Sequence, residues 1–156
     1  MESHEYHVDI AWSHDRKGMM CSPELKTDNQ PSMGCIEVAT PPEFPKGIPG
    51  IWSPEHLFTA AVSSCLMTTF LSVAENSKLD FVSFRCQSKG KLEQVDGKFL
   101  MTEVLLQPVV VIKDEKDRER ALKVLQKSEA NCLISNSIKS KVIMEPLIQV
   151  AELVVS

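Results

Sequence analysis

The side chain in this sequence with the most chemistry to offer is Cys65, which lies in a stretch from Leu57 to Ala74 that contains no charged residue. Ser53-Pro54-Glu55 just upstream reads as a helix start: a serine suited to the cap, a proline where its missing N–H costs nothing, and an acid in the first turn. Cys65 then falls about three turns into the helix, beyond the reach of the helix's own N-terminal dipole. A thiol is nucleophilic only as the thiolate, its ordinary pKa is about 8.5, and burial among apolar neighbours raises it. A reactive Cys65 therefore needs a cation from elsewhere. An unreactive one packs as a small hydrophobe. Cys21, Cys35 and Cys86 fall in strand-like runs and read as packed apolar groups, with Cys21, close after Arg16, the outside choice for a second reactive thiol. The five cysteines are odd in number, widely spaced and without a CxxC, so five reduced thiols are expected, not a disulfide framework or a zinc knuckle. His4, His7, His14 and His56 form neither HxH nor HExxH, and His4 and His7 on one strand point to opposite faces, so no metal site is expected. Ser63-Ser64 lacks the glycines of a nucleophile elbow, which argues against a serine hydrolase.

The elements that must position these groups follow from periodicity. Tyr6, Val8, Ile10 and Trp12 alternate with polar or small residues, predicting a strand from His4 to Trp12 with one buried face. A turn follows over Ser13 to Gly18, then short strands at Met19 to Leu25 and Cys35 to Ala39. The Pro- and Gly-rich segment from Thr40 to Pro54 is a loop rather than a linker, because the chain before it is too short to fold alone. The uncharged helix is expected to be buried on nearly every side; its Ser and Thr content argues against a membrane span. After it come strands at Phe81 to Gln94 and Lys98 to Lys113, joined by a hairpin at Asp96-Gly97. A second helix over Asp114 to Ala130, capped by Asp114, turns Ala121, Leu122, Val124 and Leu125 inward. A strand from Lys141 to Val150 closes the chain. The order predicts an α+β fold with a mainly antiparallel, strongly curved sheet around a long central helix, in one domain spanning 1–156. One such sheet covers only part of a helix apolar on all faces, so a homodimer that packs two of them together is expected.

Composition excludes several classes. The chain has 156 residues, is 43% hydrophobic and 24% charged, and carries a formal charge of −4, which suits a globular domain that needs no metal or disulfide to hold a core. The 17 Lys and Arg are interspersed among 21 Asp and Glu, so no basic block is present to engage nucleic acid. The first residues include Glu2 and Glu5 and no apolar run, which predicts no signal peptide and a cytoplasmic protein.

Pro54-Glu55-His56-Leu57-Phe58 followed by Ala60 to Cys65 resembles the helix of the OsmC/Ohr family of thiol peroxidases, where an acid lies ten residues before the peroxidatic cysteine, as Glu55 lies before Cys65. Cys132-Leu133-Ile134-Ser135-Asn136 resembles the family's second signature, Cys-Pro-x-Ser-x, with Leu133 where proline is usual. Asp15-Arg16-Lys17-Gly18 matches the turn where the family places its active-site arginine. The resemblance spans the chain in element order. It implies an intertwined homodimer without a cofactor, in which Cys65 attacks an organic hydroperoxide, its sulfenic acid closes a disulfide with Cys132, and a lipoyl-type or other dithiol restores both thiols. It further implies that Arg16 supplies the cation, in its own chain or the partner's, with Glu55 orienting the guanidinium. Phe58, Leu66 and Met67, with Phe44 and Ile48 from the loop, are the expected apolar contacts of the substrate. Two other readings use the same residues: a dimeric redox sensor or small-molecule binder with little turnover, and a structural dimer with inert thiols.

Overall fold

In the computed structural model, which describes residues 1–30 and 34–152, the chain forms two compact units, residues 1–57 and 58–156. The first is built on a three-stranded antiparallel sheet of β1 (Asp9–His14), β2 (Lys17–Cys21) and β3 (Cys35–Ala39), with β2 in the middle. The predicted strand over Met19 to Leu25 stops at Cys21, and a single 3-10 turn over Pro23–Leu25 follows, since Pro23 cannot donate to a ladder. The alternation ending at Trp12 does not bury a face. All six residues of β1 are exposed, with Ile10 at 64% and Trp12 at 78%. The strand is at the sheet's edge, and no second layer covers it among the described residues.

The reading of five reduced thiols is corrected here. Cys21 and Cys35 face each other across β2 and β3, their Cα atoms 4.1 Å apart, and are joined as a disulfide. Beside it Ser22 N–H donates to the Gly34 carbonyl at 2.8 Å, so the bridge reinforces the base of the β2–β3 connection.

Helix α1 (Pro54–Asn76) starts as its cap predicts: Ser53 Oγ accepts from His56 N–H at 3.2 Å, and Leu57 N–H bonds the Ser53 carbonyl at 2.9 Å. Ser53 Oγ also bonds His56 Nδ1 at 2.6 Å. The helix buries Val62, Cys65, Leu66, Phe70 and Ala74, one stripe at helical spacing. Its other side is open, with Met67 39% and Leu71 45% exposed, so burial on nearly every side does not hold within this chain.

In the second unit, β4 (Phe81–Val95) and β5 (Lys98–Ile112) form one long hairpin, turned by Asp96 and Gly97 at φ of 50° and 79°. Both turn residues need positive φ, and that need selects Asp-Gly. On the other side of β5 the predicted closing strand is two: β6 (Lys141–Met144) pairs with Glu103 to Leu106 and β7 (Leu147–Val150) with Val109 to Ile112, both parallel. The break lies at Glu145-Pro146, opposite Gln107-Pro108, where two prolines remove two ladder donors. The expectation of mainly antiparallel pairing therefore holds, in β1–β2–β3 and in the long hairpin, and the last two strands are its parallel part.

Helix α2 (Arg118–Ala130) follows a 3-10 turn over Glu115–Asp117, whose Lys116 N–H bonds Asp114 Oδ1 at 2.9 Å. It buries Ala121, Val124, Leu125 and Ser128, while Leu122 is half-buried beside them. Phe70 and Ala74 of α1 share one core with Val110 and Ile112 of β5 and with α2; Val62 and Leu66 share a second with Val104 and Leu106. Gly90 on β4 permits this packing, because a Cβ there would collide with Thr59 Oγ1 of α1.

Candidate thiol site

Cys65 lies on the buried stripe of α1, 8% exposed, one turn before Thr69, whose Oγ1 is 3.9 Å from its sulfur. Cys132 is wholly buried. It stands between two helices: its N–H bonds the Glu129 carbonyl at the end of α2 at 3.2 Å, and its carbonyl accepts from Asn136 N–H in α3 (Leu133–Ser137) at 3.0 Å. Its backbone is extended, with φ −68° and ψ 111°. That is the conformation a following proline would impose, reached here with leucine.

At the head of α3 the backbone of Leu133 and Ile134 and the Cys132 thiol lie close to the Cys65 sulfur. Burial is the largest single influence on Cys65 and pushes its thiol up; Cys132, Ile134, Thr69 and Leu133 together outweigh it and hold the pKa below the ordinary thiol value. Cys132 goes the other way. Burial pushes it up, Ser135 beside it pulls the other way, and the neighbouring Cys65 sulfur adds to the rise. The Ser135 hydroxyl is buried and has no hydrogen-bond partner among the described residues. The site thus pairs a thiol shifted toward ionisation with one shifted away from it.

The groups that lower the Cys65 pKa within the second unit are neutral. Arg16 sits in the first unit, in the turn between β1 and β2, after Asp15 at φ 49°. The turn is held by Trp12 Nε1 donating to the Asp15 carbonyl at 3.0 Å and by Thr40 N–H donating to the Arg16 carbonyl at 3.1 Å. The Arg16 side chain is exposed and, with Lys46 and Ile48, lines a cavity of about 430 Å³. Glu55 is half-buried in the first turn of α1, and Phe44 is half-buried in the loop. Of the other expected substrate contacts, Phe58 packs on the Val62 and Leu66 core, Leu66 is itself fully buried there, and Met67 lies on the exposed side of α1. Cys86 is half-buried on β4, its sulfur 3.5 Å from Ser88 Oγ. No group of three or more His, Cys, Asp or Glu is placed to hold a metal among the described residues.

An α+β fold that seats a helical cysteine against a second cysteine at the head of a short helix defines a dithiol site. The model of the OsmC-like protein family matches residues 47–146, and the chain belongs to that family. It is similar to the YmaD protein of Bacillus subtilis, 26% identical over 123 residues that cover 73% of this chain and 82% of the relative. Among solved structures, an OsmC-like protein of Vibrio cholerae superposes with a TM-score of 0.77 at 24% identity, covering 93% of this chain and all of that one. An organic hydroperoxide resistance protein OsmC of Legionella pneumophila gives 0.70 at 19% identity, over 96% and 99% of the two chains. The organic hydroperoxide resistance protein OhrB of Bacillus subtilis gives 0.63 at 18% identity, over 94% and 98%. These likenesses establish the α+β OsmC-like fold.

Proposed function

We propose that the protein is a dithiol peroxidase acting on organic hydroperoxides. The observation that carries the proposal is the opposite displacement of two adjacent buried thiols, Cys65 toward the thiolate and Cys132 toward the thiol. In the first step the Cys65 thiolate attacks the terminal peroxide oxygen, the O–O bond breaks, and the alkoxide takes a proton to leave as the alcohol. Cys65 is then a sulfenic acid. Cys132 attacks that sulfur, forms the Cys65–Cys132 disulfide and expels the oxygen as water. An external dithiol reduces the disulfide by exchange and is itself oxidised. Family membership and the names of the Legionella and Bacillus neighbours support the substrate class. The working form we propose is a homodimer, supported by the exposed apolar residues Ile10 and Trp12 on β1 and Met67 and Leu71 on α1. Arg16, Glu55 and the apolar residues Phe44, Ile48, Phe58 and Met67 are proposed to complete the site in that assembly.

The test is anaerobic titration of the protein with cumene hydroperoxide, with peptide mapping of the product. One equivalent should consume Cys65 and Cys132 together and link them, and a dithiol should restore turnover. Cys65→Ser should consume no peroxide. Unchanged turnover in that variant, or two thiols still free after the titration, would overturn the proposal.

A further inference from the structure

Along α2 and the 3-10 turn before it, Lys116, Arg120, Lys123 and Lys127 recur at steps of four, three and four, which sets them in one row down one side of the helix. At the helical rise per residue the row is about 16 Å long. It borders a cleft of about 480 Å³ between α2 and the residues that follow α1, lined by these four cations together with Ser77 and the acid Glu119. The walls are fixed to each other: Ala74 and Leu79, on either side of Ser77, share a core with Ala121, Val124 and Leu125 of α2, and Arg120 Nη1 donates to the Lys78 carbonyl at 3.4 Å. Lys116 pairs with Asp114 at 3.8 Å and Arg120 with Asp117 at 3.9 Å. Lys123 and Lys127, one turn apart and both exposed, have no ion-pair partner among the described residues. Like charges one turn apart on a helix destabilise it, so this row costs the free protein stability. A bound anion would reverse the sign of that cost.

We infer that this cleft is a binding site for a polyphosphate chain, held by Lys123 and Lys127 with Lys116, Arg120 and the Ser77 hydroxyl beside them. Lysine meets phosphate oxygens as a mobile point charge and arginine as a fixed fork, and a linear ligand with several negative charges answers a linear row of cations. A single carboxylate would occupy one turn of the row and leave the rest unopposed. The lining includes no aromatic side chain, and its apolar member, Val124, is 3% exposed, so the cleft has nothing on which to stack a base or seat an acyl chain. Recognition therefore rests on the phosphates, whether they come from an inorganic chain or from the tail of a nucleotide. In a chain of net charge −4 the cleft gathers four cations against one lining acid, a grouping that the interspersed charges of the sequence conceal. All of these residues belong to the second unit, and none is one of the two thiols. The inference is independent of the peroxidase reading.

The experiment is isothermal titration of the full chain with sodium tripolyphosphate, with ATP and with sodium sulfate, each at matched ionic strength. Tripolyphosphate should bind saturably, more weakly as salt is raised, and sulfate should bind far less. ATP should bind about as tightly as tripolyphosphate, because its base finds no platform. Lys123→Gln and Lys127→Gln should each weaken tripolyphosphate by about fivefold and the double variant by about twentyfold, the effect of removing one screened unit charge at each position. Both lysines are exposed, so these variants keep the fold. Lys98→Gln, which removes the same charge at the hairpin turn, should leave binding unchanged. No saturable binding of tripolyphosphate, sulfate binding as tightly, or an equal loss in Lys98→Gln overturns the inference. ATP binding without tripolyphosphate binding overturns it as well, because recognition would then lie with the base.

Discussion

We propose for Cys132 two roles that a single substitution separates: closing the disulfide, and supporting the Cys65 thiolate from the thiol beside it. Cys132→Ala removes both, whereas Cys132→Ser removes the sulfur but keeps a donor. A hydrogen bond to a charged acceptor is worth about 1.5–3 kcal/mol, and a thiol is a weak donor, which places this one near the lower end, about one pKa unit. The sign follows from the geometry. Burial pushes Cys65 up and the donors pull it down, so losing a donor moves its midpoint upward. In Cys132→Ala the thiolate fraction at neutral pH should fall about tenfold. Stability follows the same linkage. A group whose folded pKa is depressed stabilises the fold above its unfolded value, about 8.5 for a thiol, and loses that contribution as pH falls through the folded value. The alanine variant should therefore lose stability relative to the serine variant mainly at alkaline pH. The assay is the pH profile of Cys65 alkylation by peptide mass in both variants, with denaturant unfolding at pH 7 and pH 9.5. A Cys65 midpoint in Cys132→Ala equal to or below that of Cys132→Ser would refute the reasoning, because Cys132 would then not be supporting the thiolate.

The Cys21–Cys35 bridge closes a loop with a sequence separation of 14, for which chain entropy gives a stabilisation of about 3 kcal/mol. Thermal unfolding of the double variant Cys21→Ser with Cys35→Ser should show a clearly lower midpoint than the unchanged protein, and equal midpoints would refute the bridge as a stabiliser. Leu66 is wholly enclosed with Val62, Val104 and Leu106, so Leu66→Ala should cost about 2–5 kcal/mol in urea unfolding. A loss below about 1 kcal/mol would show that Leu66 belongs to an open substrate surface and not to the core.

Features settled by interactions a few residues apart are legible in the sequence. Ser53-Pro54 starts α1 because the cap, its acceptor and its donor lie within four positions. Asp96-Gly97 turns the hairpin because positive φ is a property of those two residues themselves. The placement of Cys65 on a long helix and of Cys132 after α2 also came from local pattern together with family resemblance. The short apolar runs that became β6 and β7 look alike in parallel or antiparallel pairing, and only their partner, β5, decides the direction. The Cys21–Cys35 disulfide depends on the register of β2 against β3 across an intervening loop, which no spacing rule specifies. The activation of Cys65 was the least legible feature. The neutral groups that lower Cys65, Cys132 first among them, come, apart from Thr69, from a segment more than sixty residues away, and no residue type near Cys65 in the chain announces them. The amino-acid order thus determined which elements form and which thiols they carry, because propensity and capping are local. Tertiary structure alone decided that Cys132 at the head of α3 lies beside Cys65 of α1, because that contact exists only once distant segments pack together.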